Sequence, residues 1–175
     1  MANTINQITK DNGEKMNLGD IEKAAIKGVE QGLTQIKYMD VKTQTDTAAE
    51  SLSAEDAGKL IVIPNVGQDS VYSLPTPVIG LHFHVVGFGA LAADGHDVSF
   101  HTATLNTDFF HGAVIHHDSD QTGQTSAVVW GDGNSNDKIK LDIPEAFDIH
   151  FLAKTTASWY VWGWSAGATP ITIGD

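Results

Sequence analysis

The chain has 175 residues, a formal net charge of −12, ten basic side chains that are all lysine, and no cysteine. This composition excludes disulfides and thiolate metal sites. It argues against nucleic-acid binding, which draws on dense cationic side chains and favours arginine for reading phosphates and guanines. No apolar run is long enough to cross a bilayer as a helix, and Met1-Ala-Asn-Thr opens a polar segment without the basic and apolar regions of a secretory signal. A soluble protein made in a cytoplasm, with no membrane partner, is the expectation.

Charge is uneven along the chain. Residues 1–59 hold seven lysines against ten acids, and residues 60–175 hold three against twelve. This shift, near Gly58-Lys59, places a domain boundary there. The expected organisation is a flexible N-terminal arm over 1–17, a helix and linker over 18–58, and a β-sandwich domain over 59–175. MANTINQITKDNGEK is polar and unpatterned, the composition of a disordered arm. Asp20 is then placed to cap a short helix carrying Ile21, Ala25, Val29, Leu33 and Ile36, weakened by Gly28 and Gly32. Ser53-Ala-Glu-Asp56 has capping-box spacing, and Gly58 suits the end of a helical turn.

From Leu60 the chain reads as short strands separated by turn residues: LIVIP, VYSL, LHFHVV, VSFHT, GAVIH, SAVVW, KIKLDI, FDIHFLA, SWYVWGW and PITI. In LHFHVV, Leu81, Phe83 and Val85 oppose His82 and His84. In KIKLDI, Ile139, Leu141 and Ile143 face inward and the lysines face water. Some ten strands at this spacing predict an all-β fold, an antiparallel sandwich or barrel-like domain with an N-terminal arm and short helix.

Eight histidines, at 82, 84, 96, 101, 111, 116, 117 and 150, stand out. His82 and His84 share one strand face, a spacing compatible with zinc or nickel and also with ordinary hydrogen bonding at a surface or interface. Around a symmetry axis the pair would form a ring of imidazoles across subunits. Asp132-Gly-Asn-Ser-Asn-Asp137 begins like a calcium loop. Its sixth position is Asp137 and its twelfth Ile143, so a polar turn with Gly133 and Asn134 in left-handed backbone is expected. HHDSDQTGQTS, residues 116–126, reads as an exposed loop. There is no GxSxG elbow, P-loop, GxGxxG or HExxH, so neither an enzyme nor a cofactor is expected.

WYVWGWS, from Trp159 to Ser165, concentrates three of the four tryptophans. Alternation sends Trp159, Val161 and Gly163 to one face and Tyr160, Trp162 and Trp164 to the other. The first face suits the core. The second suits a cover provided by the chain itself, a sugar-stacking platform or a subunit interface, and Trp and Tyr are enriched as interface anchors. An interface is the favoured reading.

The order of segments resembles small structural proteins of tailed-phage virions, of the capsid decoration (cement) and head-fibre type. It rests on Gly58-Lys59 before an apolar strand, Leu74-Pro75 closing a strand, Gly80 to Phe83 opening the next, Asp137 to Ile139, and Trp159 to Ser165. The resemblance spans about residues 52–169; the N-terminal segment and the abundant histidines depart from it. It implies a β-domain that trimerises on the capsid exterior, binds the major capsid protein and needs no cofactor. The N-terminal segment, with Asn3, Ile5, Ile8 and Lys10, would then be a capsid-binding arm. Tyr160, Trp162, Trp164, His82 and His84 would form an oligomer or partner interface. The alternative is a glycan-binding fibre or spike module.

Overall fold

The computed structural model describes residues 7–9, 15–17, 39–88, 95–120 and 125–175. Two units partition the chain, residues 1–39 and 40–175. In the first, β1 (Gln7–Thr9) and β2 (Lys15–Asn17) pair antiparallel, Ile8 opposite Met16. Part of the segment expected to be an unstructured arm is therefore a hairpin. Asn3, Ile5, Lys10 and the helix expected from Asp20 to Ile36 lie outside the described residues.

The second unit is all β. Its strands are β3 (Val41–Thr43), β4 (Ala49–Ser51), β5 (Leu60–Ile63), β6 (Ser70–Ser73), β7 (His82–Gly87) and β8 (Val98–His101). They continue with β9 (Phe109–Asp118), β10 (Ser126–Asp132), β11 (Lys138–Leu141), β12 (Ala146–Thr155), β13 (Ser158–Gly167) and β14 (Thr172–Gly174). One sheet has the order β10-β9-β13-β12-β7-β5-β3 and the other β14-β11-β8-β6-β4. From β3 to β8 the chain changes sheet at every strand. Each strand therefore returns parallel to the one before last, as in β3–β5, β5–β7, β4–β6 and β6–β8. This shuttling supplies the long connection a parallel pair requires without a helix. The sheets are mixed, which corrects the antiparallel expectation. β3 and β4 also lie before the charge shift at Gly58-Lys59, so the sandwich begins near residue 40 and not at 59.

The core lies between the sheets. Phe83, Phe110, Phe147, Phe151, Trp159 and Val161 enter from the larger sheet, and Tyr72, Phe100, Ile139 and Leu141 from the smaller, all fully buried. Phe100 meets Phe151 and Phe147 across the layers, with ring centroids 5.2 and 6.0 Å apart. This interlocking of aromatic side chains aligns the two sheets.

Two glycines let the central strands approach. A Cβ on Gly163 (φ +142°) would stand 2.1 Å from the carbonyl oxygen of Asp148, and one on Gly112 (φ +123°) would stand 2.1 Å from that of Val161. Side chains at either position would force β13 away from its neighbours.

The polar connections largely follow their residue types. Asp132 accepts hydrogen bonds from the backbone N–H groups of Asn134 and Ser135, closing the β10–β11 turn. Gly133 takes a positive φ there; Asn134 does not. Ser53 to Asp56 opens a single 3-10 turn (Ala54–Asp56), and the Asp56 carboxylate accepts from Ser53 N–H and pairs with Lys42 and Lys59. Gly58 follows with φ +80°. Ile143 lies beyond the end of β11, only half-buried, rather than continuing its inward row. His116 and His117 belong to β9 rather than a loop, and His116 is buried.

Candidate functional site

The outer face of the seven-stranded sheet is unlike an ordinary solvent face. Registers align Trp130, Ala113, Trp162, His150, His84, Leu60 and Val41 as one row across all seven strands. At about 4.8 Å per strand step the row is about 29 Å wide. A second row runs Val128, Ile115, Trp164, Asp148, Val86, Val62 and Thr43, and a third joins Asp132, His111, Tyr160, Leu152 and His82. Alternation along each strand puts these residues opposite the core. Trp130 is 70% exposed, Val128 51%, Ile115 42% and Tyr160 41%.

Tyr160, Trp162 and Trp164 thus share the outer face with His82 and His84, while Trp159 and Val161 are buried. In the described part of the proposed arm, Ile8 lies on β1. The sequence reading did not single out Trp130, Val128, Ile115 or Asp148, and named His150 only among the eight histidines. Alternation in FDIHFLA does mark Asp148 and His150 as a pair opposite Phe147, Ile149 and Phe151. Only the β7–β12 pairing brings them to His82 and His84.

At the centre, four polar side chains pack together. His84 Nε2 donates to Asp148 Oδ1 at 2.9 Å, since an ionised carboxylate only accepts. His150 Nε2 lies 3.3 Å from the same oxygen, and His150 Nδ1 shares a hydrogen with His82 Nε2 at 3.1 Å. The rings form a stack: Trp162 on His150 at 4.9 Å and 4°, and His150 on His84 at 4.0 Å and 15°. Burial, with His84 adding to it, lowers the pKa of His82. Burial and then His84 lower that of His150 against the opposing pull of Asp148. Both are held toward the neutral imidazole, able to donate through one nitrogen and accept or ligate through the other.

The sequence matches no protein-family model and no curated protein. Among the described residues, no helix is long and apolar enough to cross a membrane.

Proposed function

We propose that this chain is a structural building block of a tailed-phage virion: a capsid decoration protein that self-associates as a trimer on the outside of the head. Its partners are then its own copies and the major capsid protein, and it works without catalysis or cofactor. The observation that carries this reading is the outer face of the seven-stranded sheet. Trp130, Val128, Ile115 and Tyr160 form an exposed apolar band on a domain whose core is already complete between its sheets. Covering that band with a second copy removes apolar surface from water on both sides of the contact. The order of sequence segments, which resembles that of virion decoration and head-fibre proteins, supplies the setting. In that setting residues 1–15 act as the capsid-binding arm, and three arms per trimer raise the effective concentration at the shell.

A glycan-binding fibre or spike module draws support from the exposed rings of Tyr160 and Trp130. Trp162 serves it poorly, because one face of that ring lies on His150.

The test uses purified heads lacking the protein. The full chain is expected to coat them and raise their resistance to heat, and a chain without residues 1–15, which loses β1, is expected to keep its β-domain folded and oligomeric but not bind. Heads left uncoated by the full chain would overturn the reading. Glycan-array binding lost in Tyr160→Ala would replace it with the fibre or spike module.

A further inference from the structure

We infer that His84, Asp148 and His150 form a binding site for one divalent first-row transition-metal ion, with His82 orienting the ligand His150. The inference rests on the placement of four side chains and is independent of the virion reading. One ligand atom from each of His84, Asp148 and His150 lies within 4.8 Å of the other two, and both Nε2 atoms face Asp148 Oδ1. Two of the separations are 2.9 and 3.3 Å. In a tetrahedral zinc site with bonds of about 2.0–2.1 Å, neighbouring ligand atoms stand about 3.3 Å apart. The cluster is already near that spacing.

The backbone makes this geometry inexpensive. His84 and His150 are direct partners across the β7–β12 pair, and Asp148 is two residues from His150 on the same face. All three side chains therefore project from the centre of one sheet. Their exposures of 22%, 30% and 23% leave the cluster reachable from solvent while its sides are walled by Trp162 and His82. The two rings stand 15° from parallel, so their lone pairs run side by side. Closing on one ion turns a ring about χ2, a broad torsion in aromatic side chains.

The donor set selects the ion. Two imidazole nitrogens and one carboxylate oxygen suit Zn²⁺, Co²⁺ or Ni²⁺ better than Ca²⁺ or Mg²⁺, which prefer oxygen shells. Three protein ligands leave a position for water on the solvent side. On binding, each ligating ring carries its proton on Nδ1 and ligates through Nε2. The His150 Nδ1–H then donates to His82 Nε2, 3.1 Å away. This is the outer-shell contact that fixes the tautomer and orientation of a metal-ligating histidine.

The experiment titrates the untagged full chain with Zn²⁺ by calorimetry and with Co²⁺ by visible absorption, which reports the coordination geometry. One ion per chain is expected, with Co²⁺ giving intense tetrahedral bands. His84→Gln and His150→Gln are each expected to weaken binding by more than about 100-fold, and His82→Ala, which removes the orienting contact, by about 10- to 100-fold. His117→Gln, at an exposed histidine outside the cluster, is expected to bind as the wild type does. Nitrogen-15 spectra should show His84, whose Nε2 carries the proton toward Asp148 in the free chain, changing tautomer when Zn²⁺ binds. Circular dichroism checks each fold; Asp148→Asn replaces any variant that loses it. Absence of binding by the wild type at millimolar Zn²⁺, or binding unchanged in the His84→Gln/His150→Gln double variant with its fold intact, would overturn the assignment.

Discussion

Replacing Trp130 by alanine separates the role of the outer face from the stability of the fold. The side chain is 70% exposed on β10, the edge strand of the larger sheet, so removing it leaves no cavity. Its loss is expected to change unfolding free energy by less than about 0.5 kcal/mol. Trp159→Ala, in the core, is the contrast and is expected to cost about 3–5 kcal/mol. The exposed part of a tryptophan is about 170 Å² of surface. At about 25 cal/mol per Å², covering it in an assembly contributes up to about 4 kcal/mol. Ordering and imperfect fit reduce this, and truncation of an interface anchor typically costs about 2–4 kcal/mol. Dissociation constants between chains should therefore rise about 30- to 700-fold. Sedimentation velocity over a concentration series measures that shift, and urea unfolding measures the stability. Unchanged self-association in Trp130→Ala would refute the reasoning.

The other predictions concern the backbone of β13 and a buried carboxylate. Gly163→Ala puts a methyl group 2.1 Å from the Asp148 carbonyl oxygen at φ +142°, and is expected to destabilise the domain by about 3 kcal/mol. An unaltered urea midpoint would contradict that packing. Asp56 is an acid-sensitive group with a buried carboxylate. Burial pushes its pKa up, but the Ser53 N–H, Lys42 and Lys59 outweigh it and hold the carboxyl well below the usual range. A depressed folded pKa gives stability that is complete above the unfolded value and lost as pH falls through the folded one. Asp56→Asn should thus cost about 1–2 kcal/mol at neutral pH, with the gap to wild type closing below about pH 4. A gap independent of pH would show that the two lysine pairs contribute nothing.

Much of the sandwich is legible in the sequence because burial on a strand has period two. LHFHVV, FDIHFLA and SWYVWGW each alternate, and each places its inner residues in the core. The neighbours of a strand and their direction leave no such trace. β9 and β13 pair parallel through ten residues, yet nothing in GAVIH or SWYVWGW marks that partner. VKT and AES carry no apolar run, so β3 and β4 are missed; their positions come from hydrogen bonding to β5 and β6. The calcium-like segment resolves into a turn because Asp132 accepts hydrogen bonds from the nearby backbone N–H groups of Asn134 and Ser135. The histidine–aspartate cluster shows the same limit. His82 and His84 stand out by spacing on one strand, while Asp148 and His150 join them only through a pairing between residues more than sixty positions apart.

Sedimentation equilibrium of the full chain in solution weighs most directly on whether the aromatic face is an interface. A species of three chains, three times 18.7 kDa, is expected at micromolar concentration, with Trp130 fluorescence shifted to the blue relative to a dissociated sample. A single 18.7 kDa species throughout the concentration range, with the tryptophans of the outer face still open to a soluble quencher, would contradict it.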